Sequence, residues 1–387
     1  MTANKSKRSQ DIQPFHVMAL LARARELEAQ GKDIVHMEIG EPDFLTPQPI
    51  IDAGLSFIEA GNIHYTPAVG LTHLRQAIAN YYKSTYGTEV SADRIVITPG
   101  ASGALLLALG VLLDPGQEFL MADPGYPCNR NFVRFLEGKS KAVAVDADTD
   151  YQLTPELVKQ HWTKNTKGVL LASPSNPTGT LVKAESLQAI IEYAAEQGGY
   201  AIVDEIYHGL VYEQQADTAL QFSNDVFVIN SFSKFFGMTG WRIGWLVAPQ
   251  NFIPEVDKLA QNLFLAAPTP AQHAALAAFT PETQDILVTR RNEFKQRRDF
   301  LLPALRDMGF DIPVTPQGAF YLYANCKKFT DDSFAFSERL LEEVGVAVTP
   351  GLDFGSNRPE QHLRFAYTTS LERLEEGVKR IKHFLNQ

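Results

Sequence analysis

NSFSKFFGMTGWRIGW, residues 230–245, is the stretch whose reading decides the fold. It follows residues 226–229, an apolar and largely β-branched run that predicts a buried strand. The segment then presents one lysine, Lys234, flanked by Ser231, Ser233 and Phe235, with Gly237, Gly240, Gly244 and Arg242 close behind. At the end of an apolar strand, a lysine can be desolvated until its amine is nucleophilic near neutral pH, the state that Schiff-base chemistry needs. Arg242 offers a planar, permanent cation suited to a phosphate, and Ser231 can donate to the same group. Most lysines after a strand are solvated, so these sixteen residues leave a catalytic and an ordinary surface role equally open.

The 387 residues suffice for two or three domains with a sizeable core. Forty-five acidic against thirty-five basic residues give a net charge of −10, which argues against a nucleic-acid surface. Cys128 and Cys326 are too few for a disulfide framework and fit a reducing compartment. The basic start, MTANKSKRSQ, leads into an apolar run broken by Arg23 and Arg25, a poor secretory signal. The longest strongly apolar run, residues 103–113, is too short to span a bilayer, so the expectation is a soluble cytoplasmic protein. Nine histidines lack metal-ligand spacing, and no metal is expected.

Outward from the lysine segment, strands and helices alternate. Residues 1–14 read as a mobile arm, and Val17, Leu20, Leu21, Ala24 and Leu27 recur at helical spacing over residues 15–29. A strand over 34–39 enters the turn Gly40-Glu41-Pro42-Asp43, and 62–75 is a loop entering a helix, where Tyr65 has no evident core role. The strand 94–98, the small-residue turn at 99–103 and the helical run 104–113 make a phosphate cradle from free amides and a helix dipole. Strands follow at 118–122, ending in a turn that carries Tyr126, and at 141–145 and 168–172. The last runs into Ser-Pro-Ser-Asn-Pro-Thr-Gly, which holds Asn176 between two prolines; a ligand-directed amide and a plain turn residue both fit. A helix over 183–197 precedes the apolar strand 200–203, and Asp204 at its end calls for a cation, either a structural arginine or the protonated ring nitrogen of a cofactor.

This alternation predicts an α/β fold with a doubly wound, mostly parallel sheet and ligands at the carboxyl ends of the strands. Gly100, Asn176, Asp204 and Lys234 all fall just after a strand, and their convergence on one sheet edge outweighs any single motif. A long helical pattern from about 268 to 308, broken near Pro281, links to a smaller α+β domain with strands near 320–324, 346–349 and 363–368. Arg364, inside an apolar strand, either clamps a substrate carboxylate or pairs with a surface acid.

Together these residues resemble the class I and II aminotransferases, the fold-type I enzymes of the aspartate aminotransferase superfamily that use pyridoxal 5′-phosphate. The resemblance spans Gly40-Glu41-Pro42-Asp43 to Arg364 and rests on Ser-x-x-Lys with an arginine eight residues later, together with NPTG and DEIY. It implies that Lys234 forms the internal aldimine and then carries the substrate's α-proton. Asp204 would keep the pyridine nitrogen protonated, and Asn176 and Tyr207 would donate to the ring hydroxyl oxygen. Tyr126 would stack on the ring, and Gly100, Ala101, Ser102, Ser231 and Arg242 would hold the phosphate. Tyr65 would reach the neighbouring subunit's phosphate, which implies a homodimer with shared active sites. Arg364, with Gly40 and Asn176, would bind the α-carboxylate. The large domain would comprise residues 47–285, and residues 1–46 with 286–387 would form the small domain that closes over the substrate.

The implied reaction moves an amine from an L-amino acid to a 2-oxo acid in a ping-pong cycle. A carbon–sulfur β-lyase or a racemase on the same scaffold is the nearer rival. A non-enzymatic ligand-binding regulator is the further one, and the roughly forty residues before Gly40 are unsuited to a DNA-binding module. Side-chain specificity does not follow from these motifs.

Overall fold

The structure, a computed structural model, describes residues 5–386. Among them eleven strands run in chain order as β1 (Val35–Met37), β2 (Ile95–Thr98), β3 (Glu118–Asp123), β4 (Lys139–Ala144), β5 (Thr166–Ala172), β6 (Tyr200–Asp204), β7 (Phe227–Ser231), β8 (Gly244–Val247), β9 (Tyr321–Asn325), β10 (Val346–Pro350) and β11 (His362–Ala366). Seven of these make one sheet in the order β2-β8-β7-β6-β5-β3-β4. Strands β3 to β7 pair in parallel with one another or with β4, whereas β8 lies antiparallel between β2 and β7. The cause is local. Between β7 and β8 the chain makes only a 3₁₀ turn at Thr239–Trp241, too little to cross the sheet face, so β8 must return beside β7 in the opposite sense.

Alternate residues of the central strands feed two separate cores. Leu170, Ile202, Phe227 and Ile229 pack with the Gly100–Leu112 and Ile253–Leu263 helices. Val169, Val203 and Val228 pack with the Thr72–Tyr86 and Ala184–Glu196 helices on the other face. The sheet is thus covered on both faces, as its continuous apolar strands require.

The second sheet has the order β1-β10-β11-β9, so its first strand comes from residues 35–37 and the others from 321–366. The Pro281–Met308 helix runs between the two regions, capped by Thr280 at its start and by Gly309, at φ +103°, at its end. The expected break near Pro281 is present: a 3₁₀ turn at Ala277–Phe279 separates this helix from Thr269–Leu276. The expected mobile arm differs from what is found. Its first four residues lie outside the described ones, but Lys7–Asp11 forms a short helix tied down by Arg8 to Glu137 at 2.8 Å and Arg134 to Asp11 at 2.7 Å. Among the described residues, no helix is long and apolar enough to cross a membrane.

Candidate active site

A cavity of about 240 Å³ opens at the carboxyl ends of β5, β6 and β7. Lys234 reaches it from just after β7, Asp204 as the last residue of β6, and Asn176 from the turn after β5. Parallel strands end at one edge of a sheet, so residues far apart in sequence meet there.

Lys234 is half-buried, and its Nζ donates to the Gly40 carbonyl at 2.7 Å. Burial lowers its pKa to about 8, with the nearby Arg364 and Arg242 cations adding to the effect. Burial acts in the opposite direction on Asp204, raising its pKa to about 6. Its partner among the described residues is the Ile206 N–H at 3.1 Å, and no arginine answers it. Of the two cations proposed for Asp204 from sequence, the structural arginine is therefore absent.

Arg364 lies buried in β11. Its Nη1 donates to Asn176 Oδ1 at 2.9 Å, and its Nη2 donates to the Glu38 carbonyl at 2.5 Å and Thr349 Oγ1 at 3.2 Å. These partners are all neutral, and Nε has none, so the surface-acid alternative does not hold. The Tyr321 and Phe354 rings lie 4.4 and 4.9 Å from the guanidinium carbon. Tyr321 also meets the Tyr207 hydroxyl at 2.9 Å, and a Cβ on Gly40 would collide with the Tyr321 hydroxyl. Tyr126 lines the cavity with its ring edge-on to Phe15 at 6.4 Å between centroids.

At the other end, Ala101 and Ser102 open the Gly100–Leu112 helix, whose N-cap Pro99 supplies no side-chain cap. The first N–H groups of the helix are left for an anion. Arg242, at φ +53°, points Nη1 at the Thr239 carbonyl at 3.0 Å, and Ser231 Oγ donates to Ser233 Oγ at 3.0 Å. Gly100 does not line the cavity; its φ of +69° favours glycine, and a Cβ there would stand 2.6 Å from Arg242 Nη2. Tyr65 lies outside the cavity and is 83 % exposed. The cavity also takes in Phe15, Val17, Met18, Ile39 and Tyr321, which sequence reasoning did not assign to it.

An amine held near neutrality, an acid without an arginine partner and an open helix start fit pyridoxal 5′-phosphate, whose aldehyde, ring nitrogen and phosphate need those three partners. Arg364 lines the same cavity and puts a permanent cation, suited to a carboxylate, beside them. Such surroundings define an enzyme that condenses a carbonyl group with amino acids.

Comparison with known proteins agrees. Residues 32–381 match the family model for aminotransferase class I and II, and the chain belongs to that family. It is 41% identical over 385 residues to a (5-formylfuran-3-yl)methyl phosphate transaminase of Methanocaldococcus jannaschii, covering 99% of this chain and 100% of that one. An aminotransferase structure from Mycobacterium tuberculosis superposes with a TM-score of 0.96 at 36% identity over the whole of both chains. The aspartate aminotransferase of Thermus thermophilus, solved with maleate, gives 0.93 at 33% identity, covering 99% of this chain and 100% of that one. The protein is a pyridoxal-phosphate-dependent aminotransferase with the fold-type I architecture, acting on amino acids and 2-oxo acids.

Proposed function

We propose that Lys234, Asp204 and Arg364 divide the work of amine transfer in this enzyme. The observation that carries the reading is the pairing, in one cavity, of a lysine amine lowered to about 8 with a carboxylate that no arginine answers. When bound, pyridoxal phosphate supplies a formyl carbon that accepts amines and a ring that takes up the electron pair left as a substrate loses its α-proton. Lys234 Nζ would hold that carbon in the resting enzyme and, once freed by a substrate amine, would serve as the base for the proton on the substrate Cα. Asp204 keeps a proton on the ring nitrogen.

Arg364, which lines the cavity beside Gly40 and Asn176, grips the α-carboxylate. Asn176 spends its Oδ1 on Arg364, which leaves its Nδ2 to donate, with the Tyr207 hydroxyl, to the ring oxygen. Tyr126 covers the ring face. Ala101, Ser102, Ser231 and Arg242 surround the phosphate, with Gly100 making room for Arg242.

The chain works as a homodimer in which Tyr65 reaches the phosphate site of the partner subunit. What supports this is the exposure, at 47–83 %, of large apolar side chains that include Leu45, Leu55, Ile63, Tyr65, Leu263 and Leu265. Residues 47–285 form the large domain, and residues 1–46 with 286–387 form the small domain that closes over the substrate, a division supported by the origin of β1 in the second sheet. Free thiols at Cys128 and Cys326 support a cytoplasmic location.

The test is product analysis with an amino acid and a different 2-oxo acid. The expected result is matched formation of the new amino acid and the new oxo acid without ammonia. Pyruvate and ammonia in place of a new amino acid would contradict the reading.

A further inference from the structure

Relatives with this fold are named for very different substrates, so the side-chain preference must come from this chain's own residues. The cations of one protomer that line the cavity are Lys234, Arg242 and Arg364, and each already has a role. The wall near Gly40 is instead apolar: Phe15, Val17 and Met18, at the start of the His16–Ala29 helix, with Ile39 beside them. Met18 is 54 % exposed, an apolar surface still to be covered.

What holds that helix in place comes from the other end of the chain. Phe15, at the N-cap position, makes no capping hydrogen bond with its side chain. Asp353 does the work, being buried at 2 % exposure with each carboxylate oxygen accepting one backbone N–H, from His16 at 2.9 Å and from Val17 at 2.8 Å. A carboxylate is favoured there by the helix dipole as well as by the two hydrogen bonds. The loop carrying Asp353 is itself tied to residues on either side of Tyr126, which lines the cavity. The Asp353 carbonyl accepts from Arg130 Nη2 at 2.8 Å, the Phe354 carbonyl accepts from Gly125 N–H at 2.8 Å, and Ser356 N–H donates to Asp123 at 2.9 Å. Phe354 also flanks Arg364.

We infer that Asp353 is a positioning residue that sets substrate specificity: by pinning the start of the His16–Ala29 helix it keeps Phe15, Val17 and Met18 as an apolar wall, which selects amino acids with apolar side chains over dicarboxylic ones. This rests on the aminotransferase reading above. Aspartate would bring a second carboxylate against that wall, and desolvating it without a cation is costly.

The experiment follows the half-reaction of the holoenzyme by absorbance with L-alanine, L-leucine and L-aspartate. Alanine serves as the internal control because its side chain ends at Cβ. In the native enzyme, kcat/KM for leucine exceeds that for aspartate by about 10-fold or more. Asp353→Asn, which keeps the shape but loses one acceptor, lowers kcat/KM for leucine by about 10-fold, mainly through KM, and for alanine by less than about 3-fold. Equal losses for both amino acids would mark Asp353 as merely structural and overturn the inference, as would a native preference for aspartate. If D353N does not fold, Met18→Ala still tests the wall: the leucine-to-alanine ratio falls, and an unchanged ratio overturns the inference. Absence of conversion with every amino acid, alanine included, would instead refute the roles proposed for the site, and the inference with them.

Discussion

With Lys234 replaced by alanine, turnover falls by about 10⁴-fold or more, while the fold survives. General acid–base catalysis alone is worth about 10²–10⁴-fold, and this variant loses the covalent attachment point as well. The structural loss is small, because Lys234 makes one hydrogen bond, to the Gly40 carbonyl, and carries an amine that burial already disfavours as a cation. Thermal melting of the cofactor-free variant should therefore match or slightly exceed that of the native protein, and the anion site at the start of the Gly100–Leu112 helix should still bind phosphate. Turnover within tenfold of native would remove Lys234 from the chemistry.

Asp204→Asn separates stability from activity. The folded-state pKa of Asp204 is raised to about 6 by burial, above the ordinary carboxylate value of 3.8. A carboxyl shifted in that direction destabilises the fold as pH rises past 3.8, and the penalty is complete above about 6. At pH 7 a shift of this size corresponds to about 1–3 kcal/mol, allowing for partial exposure. Asparagine carries no charge, so the cofactor-free variant should melt higher than the native protein at pH 7, with the difference vanishing below about pH 4. Turnover should fall by about 10²–10³-fold, since the neutral amide cannot keep the ring nitrogen protonated. Cofactor binding should stabilise the native protein more than the variant, because only the native carboxylate gains a cation. A variant less stable than native without cofactor would show that Asp204 already has a compensating partner.

The parts of the site that the sequence made legible are those that follow a strand directly. Asp204 and Lys234 stand at the ends of apolar runs, and a charge in such a place has few physical reasons to exist other than a partner. Arg364 was legible for the same reason, as a guanidinium inside an apolar strand, although sequence could not separate a ligand from a surface acid. Tyr65 was singled out for lacking a core role, which its exposure agrees with. What stayed hidden resembles ordinary core. Val17 sits in the same helical periodicity as Leu20, Leu21, Ala24 and Leu27, and nothing in the spacing tells which end of that stripe meets a cavity. Tyr321 lies in an apolar strand, and its hydroxyl contact with Tyr207 joins residues 114 positions apart. Asp353 caps a helix 337 residues earlier in the chain, a contact without any local signature. The antiparallel return of β8 escaped as well, because a four-residue strand after glycine carries little periodic signal.

The most direct measurement is borohydride reduction of the cofactor-loaded protein, followed by peptide mapping, with capture of pyridoxal phosphate by the cofactor-free protein followed across pH. The account predicts one modified peptide, carrying Lys234. Attachment requires the neutral amine, so capture should be slow at low pH and rise tenfold per pH unit to a plateau above about 8, the value to which burial lowers this lysine, rather than above the ordinary 10.5. Modification at another lysine, or a capture rate still climbing past pH 10, would contradict it.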